Sequence, residues 1–270
     1  MSQSLAQAAP QSAANPAVHS VTHLHPAARP LVPLPTIDAA LAGLVSASGE
    51  LLREAAQEHA PVVYASSLGA EAIVLTDLIC TKVPEIDIVT IDTGRLPEQT
   101  LALLERLEQR YQRRIQVYYP QASAVERYVR EQGINGFYQG LEQRLSCCHI
   151  RKVEPFQRAI NGYGAWVTGL RREQSTLRAE ALPSVHDAQY GLMKISPLLD
   201  WSEASIWTYI LAHKLPYNSL HDAGYPSIGC APCTRAVEPG QDRRAGRWWW
   251  EQADSRECGL HPRKRPAAGC

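Results

Sequence analysis

Seven cysteines carry most of the chemistry that this sequence of 270 residues could perform. Four of them form two pairs: Cys147 directly precedes Cys148, and two residues separate Cys230 from Cys233. The wider spacing lets both sulfurs reach one metal, and four thiolates fit either a structural zinc or an iron–sulfur cluster. Adjacent cysteines suit a small tetrahedral ion poorly, so the vicinal pair favours a [4Fe-4S] cluster. The alternative is two unrelated pairs of buried cysteines.

A fifth cysteine, Cys258, lies outside both pairs, in the segment Glu257-Cys-Gly-Leu-His261. Basic residues are close to it in the sequence, namely Arg256, His261 and the group Arg243, Arg244 and Arg247. If these residues are also close in space, they lower the pKa of the Cys258 thiol and hold it as the reactive thiolate. We therefore interpret Cys258 as a candidate nucleophile; an incidental cysteine in a basic tail is the alternative.

Composition excludes several classes of partner. The formal net charge is zero and the pI is about 7.1, so bulk electrostatics indicates neither nucleic acid nor a membrane. Residues 241–265 hold seven basic and four acidic side chains, a local excess that attracts small anions. No apolar run approaches the roughly 18 residues of a membrane helix, and no secretory signal is recognisable. The odd, clustered cysteines then favour metal or thiol chemistry in the reducing cytoplasm.

Apolar segments of strand and helix length alternate along the chain. Their periodicity predicts strands over 61–66, 86–91, 115–119 and 165–168, and helices over 70–81, 97–111, 122–132 and 204–213. Strands separated by such helices form a doubly wound, mostly parallel α/β sheet. We expect three parts: a disordered leader over 1–35, a ligand-binding α/β domain with the paired cysteines over 36–235, and an irregular C-terminal cap with Cys258 over 236–270.

Three loops follow predicted strands and so meet at the carboxyl edge of the sheet, where such sheets bind ligands. The first, Ser66-Ser-Leu-Gly-Ala-Glu71, combines small residues with a helix N-terminus, which favours phosphate or sulfate; it lacks the Gly-Lys-Ser/Thr ending of a Walker A loop. The other two contain Arg95 and the pair Arg171 and Arg172, whose planar guanidinium groups suit phosphate and sulfate oxygens. An ordinary turn and solvated surface charge are the alternatives.

Taken together, seven segments between residues 63 and 261 resemble the assimilatory adenylyl-sulfate reductases, a branch of the sulfonucleotide reductases with a PP-loop-like fold. In chain order they are Ser66-Ser-Leu-Gly-Ala-Glu71, Ile91-Asp-Thr-Gly-Arg-Leu96, Cys147-Cys-His-Ile-Arg-Lys152, Thr168-Gly-Leu-Arg-Arg172, Cys230-Ala-Pro-Cys233, Gly246-Arg-Trp-Trp-Trp-Glu251 and Glu257-Cys-Gly-Leu-His261. Each segment alone is modestly specific, whereas all seven in this order are highly specific.

The resemblance implies roles for the matching residues. Cys258 would attack the sulfate sulfur, release AMP and hold a Cys–S–SO3 intermediate, from which reduced thioredoxin or a similar thiol donor would release sulfite. The four paired cysteines would ligate a [4Fe-4S] cluster that does not change redox state. The phosphosulfate would contact Lys152, Arg171, Arg244, Arg247 and His261, with Lys152 bridging toward the cluster. The rest of the substrate site would be Ser66, Gly69, Glu71, Thr93, Gly94, Arg95 and Gly169.

The resemblance also bears on the choice of substrate. Family members that use the 3′-phosphorylated nucleotide generally lack both cysteine pairs, so their presence favours adenylyl sulfate. One position departs from the family: the first loop usually reads Gly-Ala-Glu-Asp, and Ala72 replaces the acid here. Three alternatives stay open, namely a 3′-phosphoadenylyl-sulfate reductase, a PP-loop enzyme that thiolates tRNA, and a non-enzymatic iron–sulfur or zinc redox sensor. The tRNA enzyme would require a Ser-Gly-Gly-x-Asp-Ser loop and a more basic surface.

Overall fold

A computed structural model describes residues 35–174 and 178–252. The strands in this part of the chain are β1 (Val62–Ser66), β2 (Asp87–Ile91), β3 (Gln116–Tyr118), β4 (Ala165–Val167), β5 (Ser184–Asp187) and β6 (Leu192–Ile195). Its α-helices are α1 (Ala39–Glu58), α2 (Ala70–Lys82), α3 (Glu98–Tyr111), α4 (Ala122–Gln132), α5 (Leu141–Cys148), α6 (Glu154–Ile160) and α7 (Glu203–Ala212). A π-helical turn, His149–Val153, joins α5 to α6.

The strands form one sheet in the order β3-β2-β1-β4-β6-β5. Four of its strand pairs are parallel, and β5 pairs with β6 antiparallel at one edge. The predicted mostly parallel α/β sheet is therefore confirmed. Its carboxyl edge gathers the loops that follow β1, β2 and β4, because parallel strands all end on the same side.

Helices cover both faces of the sheet, which makes it doubly wound. In β1, Val62 and Tyr64 pack into the larger core with residues of α1, α2, α3 and α7, whereas Val63 packs into a smaller core with Phe156 of α6 and Trp166 of β4. Successive side chains of a strand point to opposite faces of the sheet. A strand that is covered on both faces is therefore apolar at every position, without the alternation of apolar and polar residues seen in half-exposed strands. This explains why β1 reads as a continuous apolar run.

The helices α5 and α6 were not predicted, and two further features were missed as well. The first is α1, whose N-terminus is capped by Asp38, the carboxylate of which accepts a hydrogen bond from the Leu41 amide at 2.8 Å. The buried face of α1 includes Ser48, Gly49 and Ala55, so the helix lacks a continuous stripe of large apolar residues. The second is the antiparallel pair of β5 and β6. By contrast, α7 begins as expected, because the Ser202 hydroxyl accepts a hydrogen bond from the Ser205 amide at 3.0 Å.

The described chain after α7 is irregular, as predicted for the C-terminal cap. It contains the short turns Ser219–His221 and Ala231–Cys233 and one isolated antiparallel bridge between Thr234 and Arg247. None of the helices in the described ranges combines the length and apolar character that a membrane crossing requires. The predicted leader and the end of the predicted tail lie outside the described residues, so the three-part organisation stays a prediction.

Candidate active site

A cavity of about 250 Å³ lies at the carboxyl edge of the sheet. Its floor comes from the loops after β1, β2 and β4, and the C-terminal segment covers it through Gly229, Cys230, Arg244 and Arg247. Seven of the predicted substrate-binding residues line this cavity, which we call the main cavity: Ser66, Glu71, Thr93, Lys152, Gly169, Arg244 and Arg247. The topology thus brings together side chains that are up to 181 positions apart in the sequence, from Ser66 to Arg247.

The loop after β1 has the geometry of an anion site. Leu68 adopts a left-handed backbone conformation with a φ of 57°. The N-cap residue of α2 is Gly69, which has no side chain that could accept hydrogen bonds from the first amides of the helix. Amides at a helix N-terminus favour negative charge. Gly169 packs against this turn, since a Cβ there would lie 3.0 Å from the Glu71 Cβ. Gly69 itself lines an adjoining cavity of about 280 Å³.

Arg171 is placed differently from the other predicted cations. It is buried, and its Nε donates to the Glu71 carboxylate at 3.0 Å. Its Nη1 donates to Glu173 at 2.6 Å and to the Trp201 carbonyl at 3.2 Å. Arg171 lines the adjoining cavity rather than the main cavity, so these contacts join the loop after β4 to α2. A direct contact between Arg171 and the substrate stays a prediction.

The four paired cysteines meet in one place. Cys147 and Cys148 end α5, Cys230 and Cys233 flank a short turn, and all four line a cavity of about 30 Å³, which we call the cysteine cavity. Within the described residues, no group of three or more His, Cys, Asp or Glu side chains is arranged to hold a single metal ion. Four thiols around a common space are a ligand set that suits either zinc or an iron–sulfur cluster.

Mutual electrostatic effects show how near these sulfurs are to one another. The pKa of the Cys148 thiol is raised to about 11, mainly by burial; Lys152 and Arg144 act to lower it, and Cys230 and Cys147 act to raise it. Burial likewise raises the pKa of Cys233 to about 12, with Cys230 as the next contribution. Uncompensated thiolates are therefore unfavourable here, and a bound cation would supply the missing positive charge.

The two cavities share a wall. Thr93, Lys152, Cys230, Arg247 and Trp248 line both. Within this wall, the Thr93 hydroxyl lies 3.2 Å from the Cys230 sulfur. The predicted bridging position of Lys152, between the nucleotide site and the cysteines, agrees with its place in the wall. The four paired cysteines on one side and the cation-lined main cavity on the other are thus joined through these residues.

Two other predicted substrate residues, Gly94 and Arg95, lie away from the main cavity. Arg95 lines the cysteine cavity, its guanidinium lies 5.1 Å from the centre of the Phe137 ring, and its Nη2 donates to Asn135 at 2.9 Å. Gly94 has a φ of 68° and leaves room for Arg151, whose Nη1 would lie 3.4 Å from a Cβ at position 94. The loop after β2 therefore supports the cysteine cavity through Arg95 and the main cavity through Thr93.

Several residues of the site were not predicted. Arg144 and Arg151 line the cysteine cavity, and Arg151 also donates to the Thr93 carbonyl at 2.7 Å. They stand three residues before and four residues after Cys147, a spacing that puts all three on one helical face and could have revealed them. Trp248, which is buried beside Cys147 and Cys233, was not predicted as part of the site either. Cys258 and His261 lie outside the described residues.

Ala72 stands where the first loop of the family usually has an acid. Ala72 is buried in the first turns of α2 and lines the main cavity. Its carbonyl accepts hydrogen bonds from the Tyr64 hydroxyl at 3.2 Å and from the Thr76 hydroxyl at 2.8 Å. The backbone contacts of this turn are therefore made without a carboxylate at position 72.

Comparisons with known proteins agree with this arrangement. The family model described as "Phosphoadenosine phosphosulfate reductase domain" matches residues 61–236, well over half of the chain. The chain belongs to this family. Every strand of the sheet, the loops after β1, β2 and β4 and all four paired cysteines fall within the matched residues.

Curated relatives in this family are similar over most of their length. A protein of Burkholderia cepacia named adenosine 5′-phosphosulfate reductase is 52% identical over 221 residues, which cover 82% of this chain and 88% of the relative. A protein of the same name from Allochromatium vinosum is also 52% identical, over 81% of this chain and 86% of the relative. Another, from Neisseria meningitidis serogroup B, is 48% identical, over 83% and 92%.

Solved structures support the fold. The phosphoadenylyl-sulfate reductase of Candida auris, in a phosphate complex, matches with a TM-score of 0.61 and 27% identity over 75% of this chain and 98% of the other. The FMN adenylyltransferase of Candida glabrata matches with a TM-score of 0.53, at 18% identity, over 81% of this chain and 75% of the other. The second likeness concerns the fold alone, a sheet shared with nucleotide-binding proteins.

Proposed function

We propose that this protein reduces adenylyl sulfate to sulfite and AMP with electrons from thiols, in assimilatory sulfate reduction. The observation that carries the proposal is the shared wall, in which the cation-lined main cavity meets the cysteine cavity. Relatives 52% identical to the chain bear the name of this activity. The presence of both cysteine pairs further favours adenylyl sulfate over its 3′-phosphorylated form.

The nucleophile in this proposal is Cys258. Its thiolate attacks the sulfur of the sulfate group, a bond forms between the Cys258 sulfur and that sulfur, and the bond to the bridging oxygen breaks, so that AMP leaves with the electron pair. The product is an S-sulfocysteine. A reduced dithiol such as thioredoxin then attacks the Cys258 sulfur, releases sulfite and forms a mixed disulfide, which its second thiol resolves. The dithiol is oxidised, and Cys258 returns as a thiol.

Cations in the main cavity suit this chemistry. A thiolate and a phosphosulfate repel each other, so the reaction needs positive charge that binds the substrate and offsets the charge of the leaving AMP. Lys152, Arg244 and Arg247 line the cavity and would provide that charge. Guanidinium groups hold phosphate or sulfate oxygens through paired hydrogen bonds. His261 would add a donor from the same segment as Cys258.

The cysteine cavity fits a [4Fe-4S] cluster held by Cys147, Cys148, Cys230 and Cys233. The proposal is supported by the common cavity of the four cysteines and by Arg144 and Lys152 near the Cys148 sulfur. When bound, the cluster would tie α5 to the turn at Cys230–Cys233. It would thereby fix the wall that carries Lys152 and Arg247.

A sulfite-release assay tests the function. Protein purified anaerobically is mixed with a thiol reductant and either adenylyl sulfate or its 3′-phosphorylated form, and sulfite is measured. We expect sulfite from adenylyl sulfate and much less from the other nucleotide. A preference for the 3′-phosphorylated form would assign the other branch of the family. No sulfite from either nucleotide would contradict the proposal and favour the redox-sensor alternative.

Metal analysis tests the cofactor separately. We expect about four irons and four acid-labile sulfides per chain, the content of one cubane cluster. Cys230→Ser should lose the cluster and the activity together, whereas Cys80→Ser, at a half-buried cysteine of α2 outside the cysteine cavity, should keep both. Stoichiometric zinc without sulfide would contradict the cluster.

A further inference from the structure

Trp248 occupies an unusual position in the wall between the two cavities. It is 3% exposed and lines both of them. Its φ is 43°, a left-handed conformation that bulky residues rarely adopt. Such strain persists only where surrounding contacts enforce it, and it concentrates at functional sites. The backbone is held there by the Trp248 amide, which donates to the Cys233 carbonyl at 3.3 Å.

Three guanidinium groups surround the Trp248 ring. Those of Arg247, Arg144 and Arg244 lie 4.5, 4.8 and 6.0 Å from its centre. Arg247 and Arg244 also line the main cavity, and Arg144 lines the cysteine cavity. Cations are attracted to the electron-rich face of an indole, most strongly when both are shielded from water. One side chain thus contacts cations of both cavities.

We propose that Trp248 is a positioning residue, whose indole holds Arg247 and Arg244 in the wall of the main cavity for binding of the sulfonucleotide. This inference rests on the proposed function. Arg244 and Arg247 carry like charges that repel each other, and the electron-rich face of the ring partly offsets that repulsion before the anion binds. A leucine would fill much of the same space and bury similar apolar area, but it has no π face to hold the guanidinium groups.

The chain supplies a matched control. Trp249 is the next residue and also contacts a guanidinium, that of Arg235 at 5.6 Å, but it does not line either cavity. Trp249→Leu therefore removes the same atoms and a guanidinium contact of the same type, from a residue that lines neither cavity. Any general effect of losing an indole from this segment should appear equally in both variants.

The test measures binding of adenylyl sulfate to the anaerobically purified protein by isothermal titration calorimetry. We expect Trp248→Leu to weaken binding about tenfold, Trp248→Phe about threefold because a smaller π face remains, and Trp249→Leu to leave it unchanged. In turnover, KM should rise more than kcat falls, since the arginines bind the substrate. Equal affinity in wild type and Trp248→Leu would overturn the inference.

A double-mutant cycle separates positioning from a merely structural effect. If Trp248 acts through Arg247, Trp248→Leu should weaken binding far less in an Arg247→Ala background than in the wild type. Additive effects would overturn the inference. If Trp248→Leu does not fold, Trp248→Phe replaces it in the calorimetry and in the double-mutant cycle. Wild-type affinity of Trp248→Phe, or additivity with Arg247→Ala, would then overturn the inference. Failure of wild-type protein to bind adenylyl sulfate would contradict the proposed function itself, a result distinct from either outcome.

Discussion

The Arg144 guanidinium donates two hydrogen bonds to the Glu251 carboxylate, from Nε at 2.8 Å and from Nη2 at 2.9 Å. Both side chains are buried, with 1% and 6% of their surface exposed. The pair joins α5, which carries Cys147 and Cys148, to the C-terminal segment that covers the main cavity. It is therefore a structural link between the cysteine site and the cap.

Breaking this pair should destabilise the protein strongly. Glu251→Ala removes the buried carboxylate that accepts both of these hydrogen bonds from Arg144, which should lower the free energy of unfolding by about 3–5 kcal/mol, as measured by urea denaturation. The matched control is Glu154→Ala, which breaks a partly exposed pair with Arg158 and should cost at most about 1 kcal/mol. Equal losses in the two variants would show that the buried pair has no special role.

Gly229 should matter for binding rather than for folding. A Cβ at this position would come within 2.7 Å of Arg247 Nη1, so Gly229→Ala must displace the end of a flexible side chain. We expect weaker binding of adenylyl sulfate, by about 1–2 kcal/mol in calorimetry, the scale of a disturbed hydrogen bond to a charged group. The thermal midpoint should change little.

A second glycine provides the comparison. Gly43 is exposed within α1, and a Cβ there would meet nothing within 4 Å. Gly43→Ala should raise the free energy of unfolding by about 0.5–1 kcal/mol through helix propensity and leave nucleotide binding unchanged. Wild-type affinity in Gly229→Ala would mean that the position of Arg247 is irrelevant to binding.

Replacing the cavity arginines should weaken substrate binding directly. Arg244→Ala and Arg247→Ala should each reduce kcat/KM by the equivalent of about 1.5–3 kcal/mol, the loss of a charge-assisted hydrogen bond. Lysine should restore only part of the loss, because it lacks the planar fork. Arg235→Ala, at an exposed arginine outside both cavities, is the control and should retain wild-type kinetics. Unchanged kinetics in both Arg244→Ala and Arg247→Ala would mean that neither arginine contributes to substrate binding.

His221 should make stability depend on pH. Burial lowers its pKa below 6.5, while a backbone hydrogen bond at Tyr225 and the charges of Glu71 and Asp222 oppose the shift. The unfolded chain then binds more protons near this pH than the folded one, so His221 contributes stability above pH 6.5 that is lost as the pH falls toward its folded pKa. Urea denaturation at pH 7.5 and 5.5 should show a larger loss for wild type than for His221→Gln. An equal or larger loss in the variant would contradict this.

The periodicity of the sequence predicted the sheet and its edge well, because each predicted strand is a local apolar run. The helix predicted over 122–132 has the same bounds as α4, and the loops at Ser66, Thr93 and Gly169 meet as parallel strands require. α1 was missed since small residues occupy much of its buried face. The edge pair of β5 and β6 is short and partly exposed, with little apolar pattern.

Partners far apart in the sequence could not be predicted from periodicity. Arg144 pairs with Glu251 across 107 positions, and Arg171 pairs with Glu71 across 100. Neither pairing has a local signature, so the carboxylate partners of Arg144 and Arg171 were not predicted. The meeting of the two cysteine pairs was predictable, because closely spaced cysteines most often ligate a metal and two pairs together provide the four ligands of one site.

The most direct measurement of the central claim is mass spectrometry of the intact protein after mixing with adenylyl sulfate in the absence of reductant. We predict a gain equal to one SO3 group, mapped by digestion to the peptide that contains Cys258, and its loss with release of sulfite when reduced thioredoxin is added. Cys258→Ser should keep the cluster and bind the nucleotide but gain no mass, because a serine hydroxyl is a far weaker nucleophile than a thiolate. An adduct on Cys80 or Cys270, or normal turnover by Cys258→Ser, would contradict the account.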